Sequence, residues 1–296
     1  MLTEEALLFT ADLSFTQAGK HLGLSVHRMI RLLDQRQVEG RTVLPRAIAI
    51  DEFKGDAGGE RFQTVVVDAE SREILNILPD RRRDTIFSYL KSCDTSRLQM
   101  VVMDLSQGFK KAVREALGNP LIIADRFHYM RQVYWAFDEI RREVQHELWK
   151  QERIQMKRNK EVLWKSPFRL SEEGRERVEE LLPWGDRLRQ AYELKNALDY
   201  WFKTSDETTA KAGLETWMEQ AEASGIASFQ KVVKTFQTWK QEILHSFMYP
   251  YNNGYIEGIN NTTKVIKRVS YGIKSFERLK KKILWRQQVP TTLKHA

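Results

Sequence analysis

Short apolar runs between residues 46 and 124 constrain the fold more than any other feature of the sequence. They predict strands at Arg46–Phe53, Arg61–Val67, Glu73–Leu78, Leu98–Met103 and Leu121–Ala124. The first two strands can pair as a hairpin across a glycine-rich turn, and the third can continue the meander. Helices predicted at 84–91 and 107–117 alternate with the last two strands, which favours a parallel arrangement of those strands. The pattern therefore predicts an α/β fold with a mixed sheet.

The segment from residue 129 to residue 248 is predicted to be an all-helical insertion. It is rich in Glu, Lys, Arg, Gln, Leu and Trp, which favour long helices, and it lacks the alternation of a strand. An apolar helical face runs from Val133 to Leu148. Breaks between helices are predicted near Ser166, Leu182 and Ser224. The sheet domain is therefore expected to form from two parts of the chain, residues 45–128 and 249–296.

Residues 1–40 are predicted to form a helix-turn-helix segment. Its two helices span residues 16–22 and 26–35. Gly23 occupies the turn, where a left-handed residue is needed, and Ser25 is a suitable N-cap for the second helix. That helix would present Arg28 and Arg31 outward, toward a DNA major groove. An ordinary helical hairpin fits the same residues equally well.

Positive charge is concentrated at the end of the chain. The net charge is +8, and residues 251–296 carry ten Lys or Arg and only two acidic residues. The first 250 residues therefore balance to zero. A basic segment on a neutral body points to a polyanionic partner, most often nucleic acid. The alternative is a segment that only increases solubility.

A helix predicted to start near Gly254 carries two stripes of different chemistry. An apolar stripe is formed by Ile256, Ile259, Thr263 and Ile266. A neighbouring polar stripe is formed by Glu257, Asn260, Asn261, Lys264 and Arg268. A carboxylate followed by amides and cations suits a site that holds a metal ion and a phosphate together. The alternative is an amphipathic surface helix with a solvated charged face.

Asp51, Asp104 and Glu257 end or follow apolar elements in this scheme. The carboxyl ends of neighbouring parallel strands form the usual site crevice, so Asp51 and Asp104 can share a metal ion if their strands are adjacent. Two aspartates and a glutamate are the hard oxygen set that Mg²⁺ or Mn²⁺ prefers, and two such ions can promote displacement at phosphorus. Glu52 is not predicted as a ligand, because strand alternation points it to the opposite face.

Asp125 and His128 form an Asp-x-x-His unit directly after the last predicted strand. His128 has the chemistry to bond a phosphate or to orient a metal ligand. A capping role at the junction of strand and helix explains the same histidine equally well.

Several classes of protein are excluded by the composition. No apolar run is long enough for a transmembrane helix, and the first residues lack the basic start and apolar centre of a signal peptide. Cys93 is the single cysteine, which excludes an intramolecular disulfide and a cysteine-rich zinc module. We therefore expect no membrane partner and a cytoplasmic location.

Four stretches of the sequence resemble motifs of bacterial insertion-sequence transposases of the DDE superfamily, most closely the group named ISL-three. They are Ile50–Phe53, Val102–Ser106, Asp125–His128 and Asn253–Asn261. The last continues through Lys267-Arg268 and Tyr271-Gly272. The resemblance extends over about residues 14–288, and the four motifs occur in the order and spacing of the family.

The resemblance implies a ribonuclease-H-like catalytic core that is interrupted by the helical insertion and preceded by the helix-turn-helix. It implies that Asp51, Asp104 and Glu257 are the catalytic triad and bind two Mg²⁺ or Mn²⁺ ions, with Asp125 and His128 as an auxiliary pair. The implied activity is metal-dependent strand cleavage at transposon ends, followed by attack of the freed 3′-hydroxyl on target DNA.

Double-stranded DNA is the partner that this activity implies, and a homo-oligomer is expected once the protein is assembled on it. Within the helix-turn-helix and the polar helix after Gly254, the residues expected to contact DNA are Arg28, Arg31, Asn260, Asn261, Lys264, Lys267 and Arg268.

The sequence departs from the group before the helix-turn-helix. Members of the group usually carry a Cys-rich, zinc-binding segment there, whereas this sequence has only Cys93. We therefore expect either a shortened copy or a truncated reading frame. A catalytically silent DNA-binding remnant or regulator is the main alternative function, and a structure-specific nuclease with the same core is a third.

Overall fold

The computed structural model describes residues 2–251, 254–270 and 272–289. The chain divides into two compact units, Met1–Ile123 with Tyr251–Ala296, and Ala124–Pro250. The first unit contains the sheet and the second is helical. No helix among the described residues combines the length and the apolar character needed to cross a bilayer.

Helices α1 (Leu2–Asp12), α2 (Phe15–Leu22) and α3 (Val26–Gln35) precede the sheet. Helix α2 begins with a capping box, in which Ser14 Oγ accepts the Gln17 N–H and Gln17 Oε1 accepts the Ser14 N–H. Gly23, with φ 66°, ends α2 in the left-handed conformation, and Ser25 caps α3. The two predicted helices are present. Helix α1 was not predicted, because its apolar periodicity is weak.

The sheet has the strand order β3-β2-β1-β4-β5. Its strands are β1 (Ala47–Phe53), β2 (Gln63–Asp68), β3 (Ile74–Leu78), β4 (Met100–Met103) and β5 (Leu121–Ala124). The predicted hairpin and meander are confirmed, since β1 pairs antiparallel with β2 and β2 with β3. Strands β1 and β4 are parallel neighbours. Helices α4 (Arg83–Ser92) and α5 (Gln107–Leu117) connect the later strands.

The second unit consists of helices and short 3-10 turns. The helices are α6 (Arg126–Glu147), α7 (Lys150–Arg158), α8 (Lys160–Trp164), α9 (Glu172–Leu181), α10 (Asp186–Thr204), α11 (Ala210–Ala223), α12 (Ala227–Thr238) and α13 (Lys240–Met248). The predicted breaks coincide with helix ends. Buried tryptophans hold the helices together: Trp217 Nε1 donates to the Leu194 carbonyl at 2.8 Å, and Trp201 Nε1 donates to the Ala210 carbonyl at 2.9 Å.

Helices α14 (Gly254–Val269) and α15 (Phe276–Gln288) complete the first unit. Helix α15 packs on α1, α3 and β3. Trp285, which is buried, donates from Nε1 to the Leu7 carbonyl at 2.7 Å. The Gln287 amide bonds both backbone groups of Ile74, so it satisfies one position of the edge strand β3. The closing helix therefore ties the N-terminal helices and the sheet edge into one unit.

Part of the positive charge of α15 serves this packing. Arg278 forms a bidentate pair with Asp34 of α3, at 3.0 and 2.7 Å. Lys282 is fully buried and donates to the Leu13 carbonyl at 2.7 Å and to Ser270 Oγ at 2.6 Å. Burial lowers the pKa of Lys282 to about 8. These cations are engaged inside the unit, so α14 is the better candidate for contact with a polyanion.

Candidate functional site

Strands β1 and β4 bring two of the predicted acidic residues to the same end of the sheet. The register pairs Ala49 with Val102 and Ile50 with Met103. Continuing this register by one residue places Asp51, near the carboxyl end of β1, beside Asp104, which directly follows β4. Asp51 is 7% exposed, and Asp104 is half-buried at the start of the loop into α5.

Helix α14 contacts the first of these acids through Asn260. The Asn260 Nδ2 donates to Asp51 Oδ2 at 3.0 Å, and Asp51 Oδ1 accepts the backbone N–H of Glu52 at 2.8 Å. Glu257 lies three residues before Asn260 on α14, and residues at this spacing are neighbours on a helix surface. The side chain of Glu257 lies outside the part of the chain that the structure describes, so its role stays a prediction.

Glu52, which alternation predicts to point away from the site, pairs with a cation instead. Its Oε2 accepts from Arg81 Nη1 at 2.7 Å. The hydrogen bond and the charge of Glu52, with a smaller contribution from Asp104, raise the pKa of Arg81 above its ordinary value. Arg81 therefore lies within the electrostatic field of the second acid.

A basic cleft of about 370 Å³ lies along α14 and the end of β1. It is lined by Lys54, Asp56, Lys264, Lys267, Arg268 and Gly272. Lys267 Nζ lies 2.5 Å from Asp56 Oδ2, and this hydrogen bond is the main cause of a lowered Asp56 pKa. Four of the six lining residues are cationic, so the cleft suits a phosphate group.

The other residues predicted to contact DNA are exposed. Arg28 and Arg31 lie on the outer side of α3, whereas Met29 and Leu33 of the same helix are buried. On α14, Asn261 Oδ1 accepts from Lys264 Nζ at 3.4 Å, and both side chains are exposed. Asn260 differs from these residues, because its amide is committed to Asp51.

Asp125 and His128 lie at the start of α6 in the helical unit. Burial, with a contribution from the charge of Arg131, lowers the pKa of His128 to about 4, so the ring is neutral at pH 7. Arg131 Nη2 lies 3.1 Å from His128 Nδ1, and a guanidinium can only donate, so Nδ1 is the acceptor. The ring proton is therefore on Nε2, which lies 3.6 Å from Asp125 Oδ2.

The donor atoms near Asp51 have the chemistry of a divalent-cation site. The register of β1 and β4 continues to Asp51 and Asp104, and the Asn260 Oδ1 is buried without a hydrogen-bond partner among the described atoms. These are hard oxygen ligands of the kind that Mg²⁺ and Mn²⁺ bind. No group of three or more His, Cys, Asp or Glu that could hold a metal ion occurs among the described residues, from which the Glu257 side chain is absent.

Comparison with known proteins shows the family to which the chain belongs. The family model DDE_Tnp_ISL3, described as a transposase, matches residues 48–283. The transposase for insertion sequence element IS1001 of Bordetella parapertussis is 31% identical over 240 residues, which cover 78% of this chain and 58% of that protein. The chain therefore belongs to the ISL3 family of insertion-sequence transposases.

Other known proteins are more distantly similar. The transposase for insertion sequence element IS1557 of Mycobacterium tuberculosis is 23% identical over 260 residues, which cover 79% of this chain and 58% of that protein. The chain thus spans 58% of the length of both relatives. A chain of the Drosophila P element transposase strand transfer complex aligns over 98% of this chain and 91% of its own length, at 13% identity and a TM-score of 0.49.

Several cations and one acid of these sites carry little signal in the sequence and are not among the predicted residues. Lys54 and Asp56 follow β1 directly, and their place in the cleft depends on how α14 packs on the sheet. Arg131 had a local signal, since it lies three residues after His128 on a predicted helix and thus on the same face. Arg81 had none, because its partner Glu52 is distant in sequence.

Proposed function

We propose that this chain catalyses metal-dependent DNA cleavage at transposon ends and transfers the freed strand to target DNA. Asp51, Asp104 and Glu257 would bind two Mg²⁺ or Mn²⁺ ions on a ribonuclease-H-like core. The observation that carries this proposal is the register of β1 and β4, which brings Asp51 and Asp104 side by side near the carboxyl ends of two parallel strands. The bond from Asn260 to Asp51 supports it further, because it joins the helix that bears Glu257 to the strand that bears Asp51.

The residues of the chain would hold the reacting groups in place. Bound ions would supply charge stabilisation at phosphorus and acidify the attacking water or hydroxyl. Asp51 is fixed at both oxygens, by the Glu52 N–H and by the Asn260 amide, so its carboxylate is oriented before any ligand binds. Cleavage and strand transfer are then in-line displacements at phosphorus that use this one constellation and no covalent protein intermediate.

DNA would be held by the basic cleft and by α3. Lys264 and Arg268 are exposed along α14. Lys267 would exchange its ion pair with Asp56 for one with a phosphate. Arg28 and Arg31 are exposed on the second helix of the proposed helix-turn-helix. Strand transfer joins two transposon ends to one target, so we propose that several copies assemble on DNA.

His128 and Asp125 would act as an auxiliary pair in the helical unit. The neutral His128 ring carries its proton on Nε2, so it can donate a hydrogen bond to a phosphate oxygen without adding charge. Arg131 fixes this tautomer from the opposite side of the ring.

The test is a cleavage and strand-joining assay with the purified chain, DNA that carries the flanking terminal repeats, and Mg²⁺ or Mn²⁺. Asp51→Asn, Asp104→Asn and Glu257→Gln are expected to lose nicking by at least about 100-fold while DNA binding remains. Glu180→Gln is the charge-matched control, because Glu180 pairs with Arg177 in the helical unit. It should cleave at close to the wild-type rate.

Each alternative function has its own outcome in this assay. Nicking by Asp51→Asn at the wild-type rate would contradict the assignment of the triad. Tight DNA binding without cleavage in either metal would identify a catalytically silent binding protein or regulator. Cleavage without joined products would identify a structure-specific nuclease.

A further inference from the structure

The two polar atoms of the Asn260 amide differ in their hydrogen bonding. Its Nδ2 donates to Asp51 Oδ2 at 3.0 Å, whereas its Oδ1 is buried and has no hydrogen-bond partner among the described atoms. A carboxylate oxygen only accepts hydrogen bonds, so a flipped amide would set two acceptors against each other. The orientation with Oδ1 unpaired is therefore required by Asp51.

A buried carbonyl oxygen without a partner is rare in folded proteins and calls for an explanation. Here the oxygen belongs to the same amide that holds Asp51, and the register of β1 and β4 places Asp104, which directly follows β4, beside Asp51. A divalent cation held by these carboxylates would give this oxygen a partner, since amide carbonyls are ordinary ligands of hard cations.

We propose that Asn260 is a ligand of the cation bound by Asp51, through Oδ1, while its Nδ2 keeps the Asp51 carboxylate in orientation. This inference rests on the proposed function, because it assumes that Asp51 binds a divalent ion. A neutral ligand has a physical advantage at this position, because it adds an oxygen without adding a further negative charge beside two aspartates. Asn260 is thus assigned to the metal site rather than to DNA.

The neighbouring residue provides a matched control. Asn261 has the same side chain and the next position on α14, but it is exposed and its Oδ1 accepts from Lys264. Removal of the Asn261 amide therefore leaves the surroundings of Asp51 unchanged. A difference between variants of Asn260 and Asn261 reports on position and not on the loss of an asparagine from the helix.

The experiment is a Mn²⁺ titration of the purified chain without DNA, with free Mn²⁺ measured by electron paramagnetic resonance and the folded state checked by thermal unfolding. Asn260→Ala is expected to weaken Mn²⁺ binding by about 10- to 100-fold, and Asn261→Ala by less than about two-fold. Asn260→Asp keeps the oxygen and loses the donor, so it should bind Mn²⁺ at least as tightly as the wild type.

The outcomes separate the two proposals. An Asn260→Asp affinity as low as that of Asn260→Ala would mean that the donor alone matters, and it would overturn the assignment of Oδ1 as a ligand. Wild-type Mn²⁺ affinity in Asn260→Ala would overturn it as well. If the wild-type chain itself shows no saturable Mn²⁺ binding that Asp51→Asn abolishes, the proposed metal site fails, and this inference fails with it.

Discussion

Asp56 pairs with cations of the basic cleft, so removal of its negative charge should strengthen DNA binding. Its Oδ2 lies 2.5 Å from Lys267 Nζ and 4.0 Å from Lys54 Nζ, so one acid competes with phosphate for two cations. The backbone of Asp56 has φ 45°, in the left-handed region, where asparagine is as well tolerated as aspartate. Asp56→Asn therefore preserves the turn and removes only the charge.

The size of the effect follows from counterion release. The affinity for duplex DNA varies with salt concentration to the power of about −0.9 for each phosphate that is neutralised. Freeing Lys267 adds one such contact, so the slope of log affinity against log salt should become steeper by about 0.9. With equal affinities at 1 M salt, Asp56→Asn should bind the duplex more tightly than the wild type by about eight-fold at 0.1 M salt and by about four-fold at 0.2 M salt.

The assay is fluorescence anisotropy with a labelled duplex, carried out at several KCl concentrations. Glu180→Gln is the control, because Glu180 is an acid paired with Arg177 in the helical unit and its loss changes the net charge by the same amount. An Asp56→Asn protein with the wild-type slope, or with the slope and affinity of Glu180→Gln, would refute the assignment of the cleft as a phosphate site.

Two further predictions concern stability. Trp285→Ala should lower the free energy of unfolding by about 4 kcal/mol, because a buried indole and its hydrogen bond to Leu7 are lost. Trp149→Ala should change it by less than about 0.5 kcal/mol, since Trp149 is 84% exposed; equal losses in urea titrations of the two variants would show that burial is not the cause. His128 has a folded-state pKa of about 4, below its ordinary value, so its contribution is complete above pH 6.5 and is lost as the pH falls toward 4. Between pH 6.5 and pH 4 the free energy of unfolding of the wild type should fall by up to about 3 kcal/mol more than that of His128→Gln. If the free energies of unfolding of the two proteins, measured by urea titration at each pH, fall in parallel, the pKa of about 4 is contradicted.

Local signals account for the success of the element predictions. Helix α5 was predicted within its observed bounds, and α3 begins after a serine that accepts a backbone N–H from within the first turn. Strand β1 was recognised from an apolar run that ends in acids. Each of these features depends on a few consecutive residues, so the sequence alone was sufficient.

Pairings between distant residues were less accessible. The adjacency of β1 and β4 was a condition of the site hypothesis and could not be derived from either strand. The basic residues of α15 look like a DNA-binding stripe in the sequence, yet Arg278 and Lys282 are engaged by α3 and by backbone carbonyls. Which cations stay available to a ligand depends on tertiary packing, and composition alone does not determine it.

The bond between Asn260 and Asp51 joins residues 209 positions apart. The entropy lost when a flexible chain closes a loop grows with the length of the loop, so this contact forms slowly from an unfolded chain. The unit Ala124–Pro250 lies inside that loop and is built from helices, whose contacts are mostly local. Once this unit folds, the flexible part of the loop is much shorter, and α14 can dock on β1. The constellation around Asp51 is therefore expected to assemble late in folding, and substitutions that slow folding of the helical unit should delay formation of a site to which that unit contributes no acid of the triad.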